Sequence, residues 1–273
     1  MPTLTRDGHS IHYETLGDPA SPPLLLIMGL ALSSRAWDRL PERLSDRFYV
    51  IVFDNRGTGR SARRGRAYRM RDLADDATAV VEALGLPSAN VFGISMGGMV
   101  AQELALRHPE RVRSLALGCT FASWRRSRKP KLRTMLELML LHLGVVSPEG
   151  ISRIVVSPGW DQQNPGAAVE WIKRAERTAL RFAFAQMLAI ARHGTTERLR
   201  KLRVPTLILT GDQDRLVPMS NSEELARAIP GAKLQVLRGA GHAFPLEQEV
   251  ETISALASHF LAAAEPAAIP RAG

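Results

Sequence analysis

Val91-Phe92-Gly93-Ile94-Ser95-Met96-Gly97-Gly98 is the stretch on which the reading of this chain turns. Asn90 to Ile94 is a compact apolar run suited to a buried strand, and Met96 to Arg107 carries apolar residues at helical spacing. Only Ser95 separates them. Glycines two positions either side of the serine omit a Cβ where strand and helix nearly touch. A strand-to-helix reversal this sharp holds its central serine in a strained conformation at the top of a sheet, hydroxyl exposed. A serine hydroxyl is a weak nucleophile by itself. It needs a base to take its proton, a group to orient that base, and donors for the oxyanion.

Upstream of this turn, Asp7-Gly8-His9 lies between Thr3–Arg6 and Ser10–Thr15, a hairpin signal. Leu24 to Met28 and Tyr49 to Phe53 are continuously apolar, as strands covered on both faces are. Helices are expected over Trp37–Leu44 and Asp72–Leu84, the second with Asp72 near its N-cap and Gly85 as its stop. Downstream, Val112–Gly118 is a strand. The rhythm then breaks, with helical patterns at about Lys131–Leu143, Pro148–Val155 and Pro165–His193, and resumes with strands Val204–Thr210 and Lys233–Leu237 and helices Ser220–Ile229 and Leu246–Ala264. Alternating strands and helices imply an α/β fold with a mainly parallel, doubly wound sheet. Residues 1–122 and 202–264 form its core, 123–201 a helical cap, and 265–273 an Ala/Pro-rich tail expected to be frayed.

The 273 residues are 45% hydrophobic and 23% charged, enough apolar material for a sizeable core. The net charge is +9, and the basic residues are scattered apart from two groups, Arg63, Arg64, Arg66, Arg69 and Arg71, and Arg125, Arg126, Arg128, Lys129, Lys131 and Arg133. Both read as solvated loop and cap surface rather than as an anion-attracting face, and no nucleic-acid-binding module accompanies either. The single cysteine, Cys119, lies in an apolar run and reads as a small core hydrophobe. No signal peptide and no membrane span are visible, so a soluble cytoplasmic protein is expected. The spacings H-x-x-x-H and C-x-x-C are absent, and no metal or organic cofactor is expected.

A base that shuttles one proton near neutral pH is a histidine. Of the seven, only His242, in Gly239-Ala240-Gly241-His242, falls in a loop directly after a strand, on the sheet edge that also carries Ser95. An orienting acid must likewise follow a strand. Thr210-Gly211-Asp212-Gln213-Asp214 offers two, and either aspartate fits an ordinary turn role as well.

With these residues in place, the chain resembles the α/β-hydrolase-fold serine hydrolases, in particular the esterase, lactonase and haloperoxidase-like group, over nearly all of residues 10–262 outside the cap. Gly93-Ile94-Ser95-Met96-Gly97 is similar to that family's nucleophile elbow. Asp54-Asn55-Arg56-Gly57-Thr58-Gly59-Arg60-Ser61 is similar to its D-x-R-G-x-G-x-S turn, and Gly211 to Pro218 to its G-x-x-D-x-x-V-P segment. The resemblance implies Ser95, Asp214 and His242 as a catalytic triad, selecting Asp214 over Asp212. It also implies the backbone N–H groups of Leu30 and Met96 as the oxyanion hole. One departure is Met28-Gly29 where the family usually has His-Gly; it alters the pocket wall, not the backbone donors, and is similar to the methylesterase-like branch.

The implied activity is hydrolysis of small to medium acyl esters, methyl esters or lactones through an acyl-enzyme on Ser95. Cofactor-free haloperoxidase or perhydrolase chemistry and C–C bond hydrolysis run on the same triad, and a non-catalytic hydrolase-fold binding protein is a third class. Trp124, Met135, Leu136, Met139, Trp160, Trp171, Phe182, Phe184 and Met187 of the cap either line a pocket or form the cap's own core, and helical spacing favours the core.

Overall fold

The computed structural model describes residues 2–61, 68–132, 134, 137, 148–175 and 178–262. Eight strands form one sheet in the order β1-β2-β4-β3-β5-β6-β7-β8. β1 (Thr3–Arg6) and β2 (His9–Leu16) are the expected hairpin, and β2 runs antiparallel to β4 (Tyr49–Phe53). From β4 onward every pairing is parallel, through β3 (Pro23–Ile27), β5 (Ala89–Ile94), β6 (Val112–Gly118), β7 (Thr206–Gly211) and β8 (Lys233–Leu237).

Side chains along a strand alternate between faces, and here both faces are dry. Leu25 and Ile27 enter one core with Val91 and Leu115, whereas Leu24 and Leu26 enter the other with Phe92 and Ala116. The first core is closed by α2 (Met70–Ala83) and α3 (Met96–Arg107); the second by α1 (Leu40–Ser45) and α11 (Glu249–Ala262). Burying each such Leu or Ile stabilises the fold by roughly 1.5–3 kcal/mol.

Between β6 and β7 lie α4 (Pro148–Val155), α5 (Pro158–Gln163), α6 (Ala167–Arg174), α7 (Leu180–Ala191) and α8 (Thr196–Leu199). The chain leaves and re-enters the sheet layer side by side, through an isolated antiparallel bridge between Ser123 and Gly194. After β7 come α9 (Ser220–Ala228) and α10 (Phe244–Glu247). No helix among the described residues is long and apolar enough to cross a membrane.

Three expected helices are divided. The Trp37–Leu44 pattern becomes a 3-10 turn, Ser34–Trp37, and then α1, because Asp38 turns to φ 52° and Pro41 opens the new helix. Pro165–His193 becomes α6 and α7, and Leu246–Ala264 splits at Gln248, whose φ of −134° is not helical. Pro158-Gly159, read as a break, instead starts α5: Pro158 tolerates the first turn, and the Ser157 hydroxyl accepts Trp160 N–H at 3.4 Å. The helix at Lys131–Leu143 and the tail 265–273 lie largely or wholly outside the described residues.

Candidate active site

Ser95 sits between β5 and α3 at φ 56°, ψ −120°, a conformation L-residues rarely adopt. Its N–H donates to Gly118 O at 2.8 Å, and its carbonyl accepts the Thr120 hydroxyl at 2.7 Å, so β6 and the residues after it pin the strained serine from both sides. The flanking glycines are required sterically. A Cβ on Gly93 would lie 2.3 Å from Gly97 O, and one on Gly97 2.0 Å from Ile27 O.

His242 follows β8 and Asp214 follows β7, on the same edge of the sheet. Asp214 Oδ2 lies 2.8 Å from His242 Nδ1. Asp214 Oδ1 accepts the N–H groups of Leu216 and Val217 at 2.8 and 2.7 Å, which fixes the carboxylate's orientation. Asp212, the alternative acid, instead accepts Gly239 N–H at 2.7 Å and has no bond to the imidazole. Burial opposes charge on His242, but the adjoining Asp214 carboxylate, together with the Cys119 sulfur, outweighs it and holds the imidazole pKa well above its usual value.

Cys119 is fully buried, as its apolar setting in the sequence implies, but it is more than a space-filler. Its sulfur lies 3.8 Å from His242 Nε2 and 3.4 Å from His242 O. Burial pushes the thiol's pKa up, opposed by the adjoining imidazole. Cys119, Asp214 and His242 are the one trio of potential metal ligands among the described residues, their donor atoms within 4.8 Å of each other. Both Asp214 oxygens are already engaged, which leaves a metal ion only the sulfur and Nε2.

Ser95 and His242 line one cavity of about 640 Å3. Its wall is mainly apolar, with Met28, Leu30, Trp37, Ile94, Trp171 and Leu246 among the lining side chains. Gly29 backs directly onto the serine, where a Cβ would lie 3.3 Å from Ser95 Cβ. Leu30, the next residue, lines the same cavity, and Met96, the residue after Ser95, begins α3 with a fully buried side chain. The Asp54–Ser61 turn braces this loop: Asn55 Nδ2 donates to Met28 O at 3.1 Å, and Asp54 accepts Ser34 N–H at 2.7 Å and Arg60 N–H at 2.9 Å.

The insertion reaches the site at several points. Of its aromatic and sulfur-bearing residues, Trp171 lines the cavity, its indole N–H donating to Ala36 O at 2.9 Å. Trp124 and Trp160 pack on the two cores, whereas Phe184 and Met187 are exposed. Phe182 lies against Gly57, and Met135, Leu136 and Met139 fall outside the described residues. Two supporting contacts escape a reading of the sequence. Gln186 of α7 accepts Ala31 N–H at 2.7 Å, holding the loop after β3, where Ala31 has φ 59°. Glu247 accepts Gly241 N–H at 2.9 Å and Ser157 N–H at 2.9 Å, joining the His242 loop to the start of α5.

A doubly wound sheet with a serine at a strand–helix elbow and a His–Asp pair on the same edge defines a class, and comparison with known proteins makes it specific. Residues 22–146 and 159–249 match the alpha/beta hydrolase fold family, to which this chain belongs. It is 33% identical to a putative carbamate hydrolase, RutD, of Azorhizobium caulinodans, over 89% of this chain and 92% of that one. It is 31% identical to rhodomycin D methylesterase DauP of Streptomyces sp. strain C5, over 96% of this chain and 99% of that one. Among solved structures, a thermophilic esterase from Thermogutta terrifontis superposes with a TM-score of 0.79 at 27% identity, covering 96% and 97% of the two chains.

Proposed function

We propose that this protein is a serine hydrolase that cleaves carboxylic esters through an acyl-enzyme on Ser95. The observation that carries this reading is the oriented His242–Asp214 pair opening onto the same cavity as the elbow serine. His242 Nε2 takes the Ser95 proton as the oxygen attacks the ester carbonyl carbon. The backbone N–H groups of Leu30 and Met96 receive the tetrahedral oxyanion, each worth roughly 3–4 kcal/mol where such donors have been removed in other hydrolases. His242 then protonates the departing alkoxide. Water, losing a proton to His242, attacks the acyl carbon and frees Ser95.

Residues 1–122 and 202–264 act as the catalytic core and 123–201 as the cap. The cavity suits an ester whose acyl or ring portion is apolar and of medium size. Met28, in place of a polar residue, extends that apolar wall. The relative named a rhodomycin D methylesterase supports a methyl ester, in which a bulky acyl part occupies the cavity and a small alcohol leaves.

The test is turnover of p-nitrophenyl esters of increasing chain length, aryl methyl esters and lactones, beside a folded Ser95→Ala variant. Full activity in that variant removes the serine from the mechanism. Failure of a fluorophosphonate to label Ser95 in the folded protein favours a binding role instead.

A further inference from the structure

Ala240 to Ala243 carry the base, and each of the four is tied to a different element. Ala240 O accepts Gln213 N–H, from the loop after β7, at 2.9 Å. Gly241 N–H donates to both Glu247 oxygens, at 2.9 and 3.0 Å. His242 O accepts the Cys119 thiol at 3.4 Å, and Ala243 N–H donates to Val155 O at 2.7 Å. Two of these ties lead out of the sheet and into the insertion. Val155 is the last residue of α4. Glu247 Oε2 accepts not only Gly241 N–H but also, at 2.9 Å, the N–H of Ser157, the N-cap of α5.

The fit at this point is close. A Cβ on Gly241 would lie 2.7 Å from Ser157 N, 2.8 Å from Val156 C and 3.0 Å from Glu247 Oε1, so the histidine loop and the cap meet backbone to backbone. Two N–H groups from the two sides of this contact converge on one carboxyl. Without it both would lose their acceptor, and the contact would open or admit water. Val155 also lines the Ser95 cavity. The segment of cap that faces the substrate is thus the segment that holds the base.

We propose that Glu247 is a positioning residue for the base: it fixes the His242 loop against the cap, so that the seating of the cap sets how Nε2 meets the Ser95 hydroxyl. This rests on the serine-hydrolase reading given above. The Glu247 carboxyl takes no part in proton transfer. Its partners are backbone N–H groups, and Asp214 already occupies the Nδ1 side of the ring. With Glu247 removed, the tie from Ala243 to Val155 remains and the loop is held to the cap on one side of the histidine only. A displacement of about 1 Å at a catalytic group lowers turnover by roughly 10^2-fold. The residues lining the cavity stay in place, so the loss falls on kcat and not on KM.

The experiment measures p-nitrophenyl ester hydrolysis and the rate of fluorophosphonate labelling in Glu247→Ala, Glu247→Gln and Arg198→Gln, well below the Tm of each. Glu247→Ala should lose about ten- to a hundredfold in kcat, with KM within about threefold of the unaltered protein. Labelling should slow by a similar factor, and the proton resonance of the His242 Nδ1–H bonded to Asp214 should shift or broaden. Glu247→Gln keeps one acceptor oxygen and should lose less, about three- to tenfold. If the alanine variant does not fold, the glutamine variant decides by the same readouts. Arg198→Gln breaks the ion pair to Glu103, at 2.9 and 2.5 Å, where the insertion meets α3, and should leave kcat unchanged. An unchanged kcat in the folded Glu247 variants, a loss confined to KM, or an equal loss in Arg198→Gln overturns the proposal. Ser95→Ala, measured alongside, separates the two ways of failing. Activity that survives in it removes the serine mechanism; activity lost in it but kept in Glu247→Ala removes only the role of Glu247.

Discussion

Two cavities flank the same helix, and they differ in almost every respect. At the N-terminal end of α3 the Ser95 cavity is walled by apolar side chains, with a hydroxyl and an imidazole admitted at one point. Toward the C-terminal end the other is walled by arginines and has scarcely any apolar lining. Both contain a buried histidine, and the neighbours alone set the two rings apart. His242 has a carboxylate against Nδ1 and is raised well above its usual pKa; His193 has no carboxylate bonded to its ring among the described residues and falls to about 4. Burial pushes both downward, and the hydrogen-bonded Asp214, with the Cys119 sulfur beside it, reverses that push at His242.

The largest break in this contrast should come from Ser95→Ala, which should reduce kcat for an aryl ester by roughly a million-fold, as loss of the nucleophile does in comparable triads. Asp214→Asn should cost roughly 10^4-fold, since the imidazole loses its orienting partner. The base form of His242 must be present for attack, so kcat/KM in the unaltered enzyme should rise with pH through a midpoint above 6.5. Without the carboxylate, burial is opposed only by the Cys119 sulfur, and the residual activity should show a lower midpoint.

Trp171→Ala removes a buried indole from the cavity wall and leaves Ala36 O without its donor, so urea unfolding should show a loss of about 3 kcal/mol. Selectivity among acyl chain lengths should flatten in the same variant, while Ser95 still labels with a fluorophosphonate. A smaller effect belongs to His193. Its folded pKa of about 4 lies below the usual 6.5, so the unfolded chain binds the proton first as pH falls. Its contribution is fully present above pH 6.5 and is lost toward pH 4, amounting to about 2 kcal/mol between pH 7 and pH 5. His193→Phe should lack that part of the decline in urea midpoints; an identical decline would mean that His193 is not held neutral by burial. At the bottom of the scale, Arg69→Gln combined with Arg192→Gln, both in the second cavity, should leave ester turnover unaltered, and a loss there would show that the two cavities are not separate.

Much of the fold was legible because its decisive positions are local. Gly93 and Gly97 mark a contact between strand and helix that no other residue permits, and the boundaries of α3, β6 and β8 follow from apolar runs ended by glycine, proline or charge. The long helical patterns misled where one residue departs from helical backbone, at Asp38 and Gln248, since neither is a glycine or a proline. Periodicity does not register a single turned residue.

The site divides in the same way. Ser95 and His242 could be placed from strand order, but choosing between Asp212 and Asp214 needed either a family pattern or the folded geometry, because the two sit two residues apart in one loop. Cys119 was visible as a buried residue, and its contact with His242 depends on how the loop after β8 folds back. Gln186 and the arginine cleft were out of reach. Their partners come from segments far apart in the chain, and Arg69 and Arg71, read as solvated surface, acquire a setting only when α2 meets the returning insertion.

The bridge between Ser123 and Gly194 has a consequence for how such a protein diversifies. Paired residues in an antiparallel bridge have Cα atoms about 4.5–5.5 Å apart, so the chain leaves for the intervening segment and returns from it at neighbouring points. A replacement needs ends that close together and contacts in place of those that Gln186 and Ser157 make to the loop after β3 and to Glu247, and the sheet beneath would keep its register. New specificities can thus be acquired by exchanging one module, with the elbow, the histidine loop and the aspartate loop left as they are.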